Sequence, residues 1–180
     1  VQRVLIIGSP GAGKSTLAHR LSALTGLPLY NLDRIHWLPG WIERDREEAL
    51  GELRAVLVRD RWIIDGNYGS NLPVRLERAD TVLWLDYPTR VCLKGVLRRW
   101  RQYRGTSRPD MTVGCPERLS LEFLFYVLRF RSAWQHRNAR ALARFGGRVI
   151  RHFSRAETER WLERLVSSEF FTDAARLETS

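Results

Sequence analysis

Cysteine occurs twice in this 180-residue chain, methionine once, and lysine only twice among thirty basic residues. Cys92 and Cys115 are too few and too widely spaced for a zinc motif, and a core of the size such a chain can bury needs no disulfide scaffold. Both are expected as free thiols. No apolar run approaches the length of a membrane-spanning helix, so no membrane partner is expected. The first strand-like run begins three residues in, which leaves no signal or transit segment in the reading and makes a cytoplasmic location the expectation. Acidic residues are also scarce, 20 against 30 basic ones, for a net charge of +10. Between residues 98 and 144 eleven arginines face only Asp110, Glu117 and Glu122, an excess of eight positive charges. Nucleotide phosphates and a nucleic-acid backbone both fit such a region, and a solvated helical face accounts for part of it.

Against this arginine bias, one of the two lysines stands in a particular place. Val4-Leu5-Ile6-Ile7 is an apolar run of strand length. It enters Gly8-Ser9-Pro10-Gly11-Ala12-Gly13-Lys14-Ser15-Thr16, and a helical pattern follows to Leu24. Gly8, four residues, then Gly13-Lys14-Ser15 is the Walker A spacing. Glycines let the backbone curl so that successive N–H groups point at phosphate oxygens, while the next helix aims its positive end at the same spot. Lys14 is expected to reach the terminal phosphates of a nucleoside triphosphate such as ATP, and Ser15 to bind Mg²⁺. No Asn-Lys-x-Asp occurs, which disfavours a GTPase. An ABC-type ATPase lacks its Leu-Ser-Gly-Gly-Gln here, and the chain is short for an AAA+ module.

Further along, Leu27 to Asp33 reads as a second strand ending in a carboxylate. A βαβ unit brings that end near the phosphate loop, so Asp33 is expected either to orient or deprotonate a substrate hydroxyl or to cap the next turn. His36 is expected to be structural. Trp37 and Trp41 flank a Pro-Gly turn, where packing is the first expectation and stacking on a base the second. Residues 45–58 have the apolar spacing of an amphipathic helix. Trp62-Ile63-Ile64-Asp65 has the Walker B pattern of a buried strand ending in aspartate, which makes Asp65 the second metal-holding residue. A similar run ends at Asp86, but Tyr87-Pro88 marks a turn there. Residues 72–78 and 91–104 read as helices. The glycine- and proline-containing stretch from Gly105 to Pro116, fed by arginines on both sides, has the composition of a mobile catalytic lid. A helix over 122–144, a strand over 148–153 and a helix over 156–166 complete the pattern, and 167–180 is expected to fray.

Taken together, the Walker A loop, Leu32-Asp33-x-x-His36-Trp37-x-Pro39-Gly40-Trp41, Trp62 to Tyr68, Tyr103-Arg104-Gly105 and Arg108-Pro109-Asp110-Met111 resemble the adenylate-kinase-related proteins labelled DNA topology modulation proteins. The resemblance runs from Val4 to about Ile150. It implies one α/β domain of the P-loop nucleoside/nucleotide kinase type, three layers deep, with a parallel five-stranded sheet in the order 2-3-1-4-5 and an arginine lid near residues 98–119. It also implies that Asp65 rather than Asp86 serves Mg²⁺, and that Arg101, Arg104 and Arg108 are the lid cations that close on the transferred phosphoryl group. True adenylate kinases carry Asp-Gly-Phe-Pro-Arg, whereas Asp65-Gly66 is followed here by Asn67-Tyr68. AMP is therefore not the expected acceptor.

The expectation is an ATP- and Mg²⁺-dependent phosphotransferase acting on a small acceptor that the sequence does not identify, a nucleoside or nucleotide among the candidates. Its alternative is a nucleic-acid-associated P-loop ATPase that influences DNA topology.

Overall fold

The computed structural model describes residues 1–167, apart from the side chains of residues 135–138. The stretch 168–180, which holds nearly all of the segment expected to fray, lies outside the described residues. Seven strands and seven α-helices follow one another along this length. β1 (Arg3–Gly8), β2 (Leu29–Asn31), β5 (Trp62–Asp65), β6 (Thr81–Leu85) and β7 (Arg148–His152) pair in parallel in the order β2-β5-β1-β6-β7. Set aside the inserted antiparallel hairpin of β3 (Trp37–Leu38) and β4 (Ile42–Glu43), and the sheet runs in the expected 2-3-1-4-5 order. The hairpin itself was not expected.

Side chains of the sheet alternate between two cores, as strands covered on both faces require. Val4 and Ile6 of β1, with Leu83 and Leu85 of β6, point to the side covered by α1 (Lys14–Thr25), α5 (Thr89–Tyr103) and α7 (Arg155–Ser167). Leu5, Ile7, Val82 and Trp84 point the other way, against α3 (Arg46–Leu57) and α4 (Leu72–Arg78). The result is a three-layer α/β/α stack. The long helix α6 (Leu121–Ala143) gives Val127 to the first core and Leu142 to the second. At the start of α3 the Asp45 side chain accepts from the N–H groups of Glu47 and Glu48, which caps the helix.

Two expectations need correction. The second strand stops at Asn31, and residues 32–36 form the short helix α2 (Leu32–His36). Leu32 and Ile35 lie three apart and both are buried, so helical spacing outweighs the strand-like run and places Asp33 two residues beyond a strand end, on a helical turn. The loop from Gly105 to Pro116 is tied down rather than free. Met111 and Cys115 are buried beneath it. Thr112 Oγ1 donates to Trp37 O at 2.6 Å, the Trp41 indole to Pro116 O at 3.0 Å, and Gly40 N to Gly114 O at 2.9 Å. Loop and hairpin thus form one cover. Both cysteines are buried free thiols, as expected.

Parallel pairing brings Gly8, Asn31, Asp65 and Leu85 to one edge of the sheet. The chain adds strands first on one side of β1 and then on the other, so the loop after β1 stands where the winding changes sides, the place at which α/β sheets collect ligands. That loop is clamped very closely. A Cβ on Gly11 would lie 2.1 Å from Cys92 O, and one on Gly95, inside α5, would lie 2.0 Å from Gly11 O. Alanine at position 95 ordinarily favours a helix by about 1 kcal/mol. Here Gly95→Ala is expected instead to push the loop off α5 and to lower the melting temperature, measured by thermal denaturation; an unchanged or raised melting temperature would rule out this contact as a constraint on the loop.

Candidate active site

The loop after β1 and the start of the next helix gather polar groups that are half-buried beside the sheet. Gly8, Gly11 and Gly13 adopt φ of 149°, 77° and 97°, and the last of these precedes α1 directly. Left-handed backbone at Gly11 and Gly13 turns successive N–H groups inward over the start of a helix, which suits an anion. Asn67, just after β5, holds the entrance of this loop like a strand partner. Its Oδ1 accepts from Gly8 N at 3.0 Å and its Nδ2 donates to Gly8 O at 2.7 Å. Arg155 at the start of α7 donates to Gly11 O at 3.1 Å.

Asp65 and Ser15 meet here, as the two motifs required. Ser15 Oγ donates to Asp65 Oδ2 at 2.6 Å. Burial pushes the Asp65 carboxyl up to about 6, opposed by the nearby Lys14 charge and the Ser15 hydrogen bond. Burial also lowers the Lys14 ammonium from its ordinary value, against the pull of Asp65 and Asp33. Lys14 Nζ donates to Ser9 O at 3.2 Å. The other carboxylate oxygen of Asp65 is buried with no hydrogen-bond partner among the described residues. An unpartnered carboxylate oxygen beside a hydroxyl is a hard, oxygen-only donor pair. It suits Mg²⁺, which takes its remaining ligands from water and phosphate. Among the described residues no group of three or more His, Cys, Asp or Glu could hold a metal instead.

Two cavities open from this point. One, of about 330 Å³, runs along the phosphate loop between α1 and α5 and is lined by Gly11, Gly13, Thr16, His19, Gly95, Arg98, Gln102, Tyr103 and Arg155. The other, of about 810 Å³, lies under the cover formed by hairpin and loop. Asn31, Asp33, Trp37, Trp41, Tyr68, Phe123, Tyr126 and Trp134 are among its walls. Lys14, Ser15, Arg99, Arg108 and Asp110 border both. The two spaces therefore meet at a lysine, a hydroxyl, two guanidiniums and a carboxylate.

Asp33 stands in the larger cavity with its side chain 42% exposed. The Tyr68 hydroxyl donates to its Oδ1 at 3.1 Å, and Arg108 lies 3.7 Å from its Oδ2. Tyr68 keeps its proton firmly, because burial raises its pKa and the Asp33 charge adds to the effect. His36 stacks on Tyr68 with ring centroids 3.6 Å apart and its Nδ1 lies 2.9 Å from Leu32 O, which is the structural role expected of it. Trp37 and Trp41 pack edge to face, 5.4 Å apart, yet both line the cavity.

Of the three arginines expected on the lid, only Arg108 borders either cavity. Arg101 is exposed, and Arg104 is exposed and stacked over Trp100 at 5.3 Å; neither lines the site. Arg98, Arg99 and Arg155 stand at the cavities instead. The helical repeat explains the miss. Arg98 and Arg101 share one side of α5 and Arg99 stands on another, and only the packing of α5 on the phosphate loop decides which of these positions reach the cavities. Asp86, set aside for the metal, is buried in ion pairs with Arg131 and Arg151. Sequence reading also missed Arg75, which is fully buried. It donates to the carbonyls of Gly66 at 2.9 Å and Tyr68 at 3.1 Å, and to Asn67 O, so one guanidinium holds the turn that follows Asp65. Burial lowers its pKa to about 9. A basic residue on a short helix gives no sequence signal for such a role.

No protein-family model matches the chain, and no curated protein does. Solved structures do. The shikimate kinase from Bacteroides thetaiotaomicron aligns with a TM-score of 0.53 and 18% identity over 92% of this chain and 96% of its own. The shikimate kinase from Aquifex aeolicus aligns at 0.51 and 16% over 99% of both chains. That from Acinetobacter baumannii, solved with shikimate, aligns at 0.50 and 16% over 94% and 96%. The shared feature at these identities is the fold.

The electrostatics yield a test. Between the ordinary carboxylate range near 3.8 and about 6, the folded chain holds a proton on Asp65 that the unfolded chain has released. Stability falls as pH rises through that window, and the cost of the buried charge is fully present above it. Asp65→Asn is expected to stabilise the ligand-free protein at pH 7.5 by about 1–3 kcal/mol and to bring no gain at pH 4. Thermal melts at the two pH values check this, and a destabilised variant at pH 7.5 would count against the assigned burial cost.

Proposed function

We propose that the chain is an ATP- and Mg²⁺-dependent phosphotransferase acting on a small-molecule acceptor. The observation that carries this reading is the shared border of the two cavities. The triphosphate lies along the smaller one and the acceptor occupies the larger, so the γ-phosphoryl group sits where Lys14, Arg99 and Arg108 converge. Catalysis of this transfer is mostly positioning and charge stabilisation. Lys14 and the two arginines supply fixed positive charge to the equatorial oxygens, in a site walled off from water. Asp33 accepts the proton of the attacking hydroxyl, or orients it, while the Tyr68 hydroxyl and Arg108 fix its carboxylate. Ser15 and Asp65 would hold Mg²⁺, which would offset phosphate charge when bound. The cover of hairpin and loop excludes water, so transfer is favoured over hydrolysis. Aromatic walls at Trp37, Trp41, Tyr126 and Trp134 suit a planar acceptor such as a nucleoside or nucleotide.

With γ-labelled ATP, Mg²⁺ and a panel of nucleosides, nucleotides and sugar-like polyols, a labelled product other than free phosphate is expected. Lys14→Ala should lower its rate by about 10²-fold or more while the melting profile is kept. Turnover that survives this substitution would remove the assignment.

A DNA-associated ATPase is favoured by one feature. Arg90, Lys94, Arg98 and Arg101 form an exposed row about 16 Å long on α5 and make no ion pair among the described residues. If the row grips a duplex, affinity should fall with salt at a log–log slope of about −3 to −4 and ATP hydrolysis should rise with added DNA. A filter-binding and ATPase series that shows neither disposes of it.

A further inference from the structure

We infer that Glu117 is a positioning residue that sets the two arginines at the cavity border, an inference that rests on the phosphotransfer reading above. Arg99 comes from α5 and Arg108 from the covering loop, so nothing in the local chain geometry holds them together. Arg108 is buried and Arg99 half-buried, and two like charges brought close in such surroundings repel. Glu117 stands between them with its side chain only 3% exposed. Its Oε1 accepts from Arg99 Nε at 2.7 Å, and its Oε2 lies 2.8 Å from Arg108 Nε.

Arg99 is held by a hydrogen bond at its Nε and Arg108 by the carboxylate charge beside its Nε, and the terminal nitrogens turn elsewhere. Those of Arg108 reach Asp110 at 3.0 Å and approach Asp33 at 3.7 Å. Arg99 has no second carboxylate among the described residues. The backbone of Glu117 is anchored as well, since its N–H donates to Thr106 O at 2.9 Å where the loop begins. One residue thus ties the start of the loop, its middle and α5 into a single clasp. A carboxylate between two arginines leaves one net positive charge at the border and fixes where both forks point. Replacing it with a neutral group would let the forks move apart, which matters most when charge spreads over a phosphoryl group in transit.

Two ligands separate this role from a merely structural one. Mg·ADP reports ground-state binding, and Mg·ADP with aluminium fluoride mimics the transferred phosphoryl group. Calorimetry on Glu117→Gln is expected to show Mg·ADP affinity within about threefold of the native chain, and a loss of about tenfold or more for the fluoride complex. Glu117→Asp keeps the charge but is one methylene too short to span both arginines, and should recover part of that loss. If the Gln variant does not melt cooperatively, the Asp variant carries the same comparison. Equal losses for both ligands, no loss for either, or a native chain that gains nothing from the fluoride would each overturn the inference. A native chain that binds no Mg·ADP at all would instead remove the phosphotransfer reading, and this inference with it.

Discussion

Burial of charge at the carboxyl edge of the sheet is the constraint on which the rest of the structure depends. Asp65 and Lys14 are both pushed toward their neutral forms, and one Asp65 oxygen has no hydrogen-bond partner among the described residues. A protein that only needed to be stable would place apolar groups here, since replacing buried ions with well-packed hydrophobic residues often stabilises a fold. What the charged arrangement provides is a set of dipoles and charges already aimed at a ligand, in surroundings where they act strongly. The surrounding packing exists to keep it in place. Asn67 grips Gly8 from one side, α5 presses on Gly11 through a helical glycine from another, and Arg75 ties down the turn after Asp65.

The cover over the larger cavity obeys the same logic. It is made from two pieces far apart in sequence, the β3–β4 hairpin and the loop from Gly105 to Pro116, joined by backbone and side-chain hydrogen bonds and by the burial of Met111 and Cys115. A hairpin of two two-residue strands is at best marginal by itself. Together the two pieces enclose a space whose walls are aromatic and whose inner border is cationic. Arginine, rather than lysine, does most of the work at that border because its planar fork can be held by one edge and still present the other.

Much of this was legible from the chain. The Walker A spacing, with strand and helix on either side, called for the loop, the nest and the lysine. Apolar runs of four and five residues located β5 and β6, and the run ending at Asp65 pointed to the carboxylate that Ser15 meets. These signals are local. A strand buried on both faces must be apolar throughout, and a backbone that curls around phosphate must use glycine, so both leave marks within a dozen residues.

Other features left no such mark. Asp33 looked like the end of a strand, but packing of Leu32 and Ile35 on the core made it part of a helical turn. Resemblance pointed to Arg101 and Arg104 and passed over Arg99, since nothing local in a basic helix tells which side a neighbour will cover. Arg75, Glu117 and Gly95 owe their roles to carbonyls, guanidiniums and backbone contributed by other elements. By itself the sequence determined the fold class and the phosphate loop, because backbone conformation and burial are written into residue type and spacing. Only the tertiary structure decided which arginines face the site and what holds them, because the direction of a side chain depends on contacts that close across long stretches of chain.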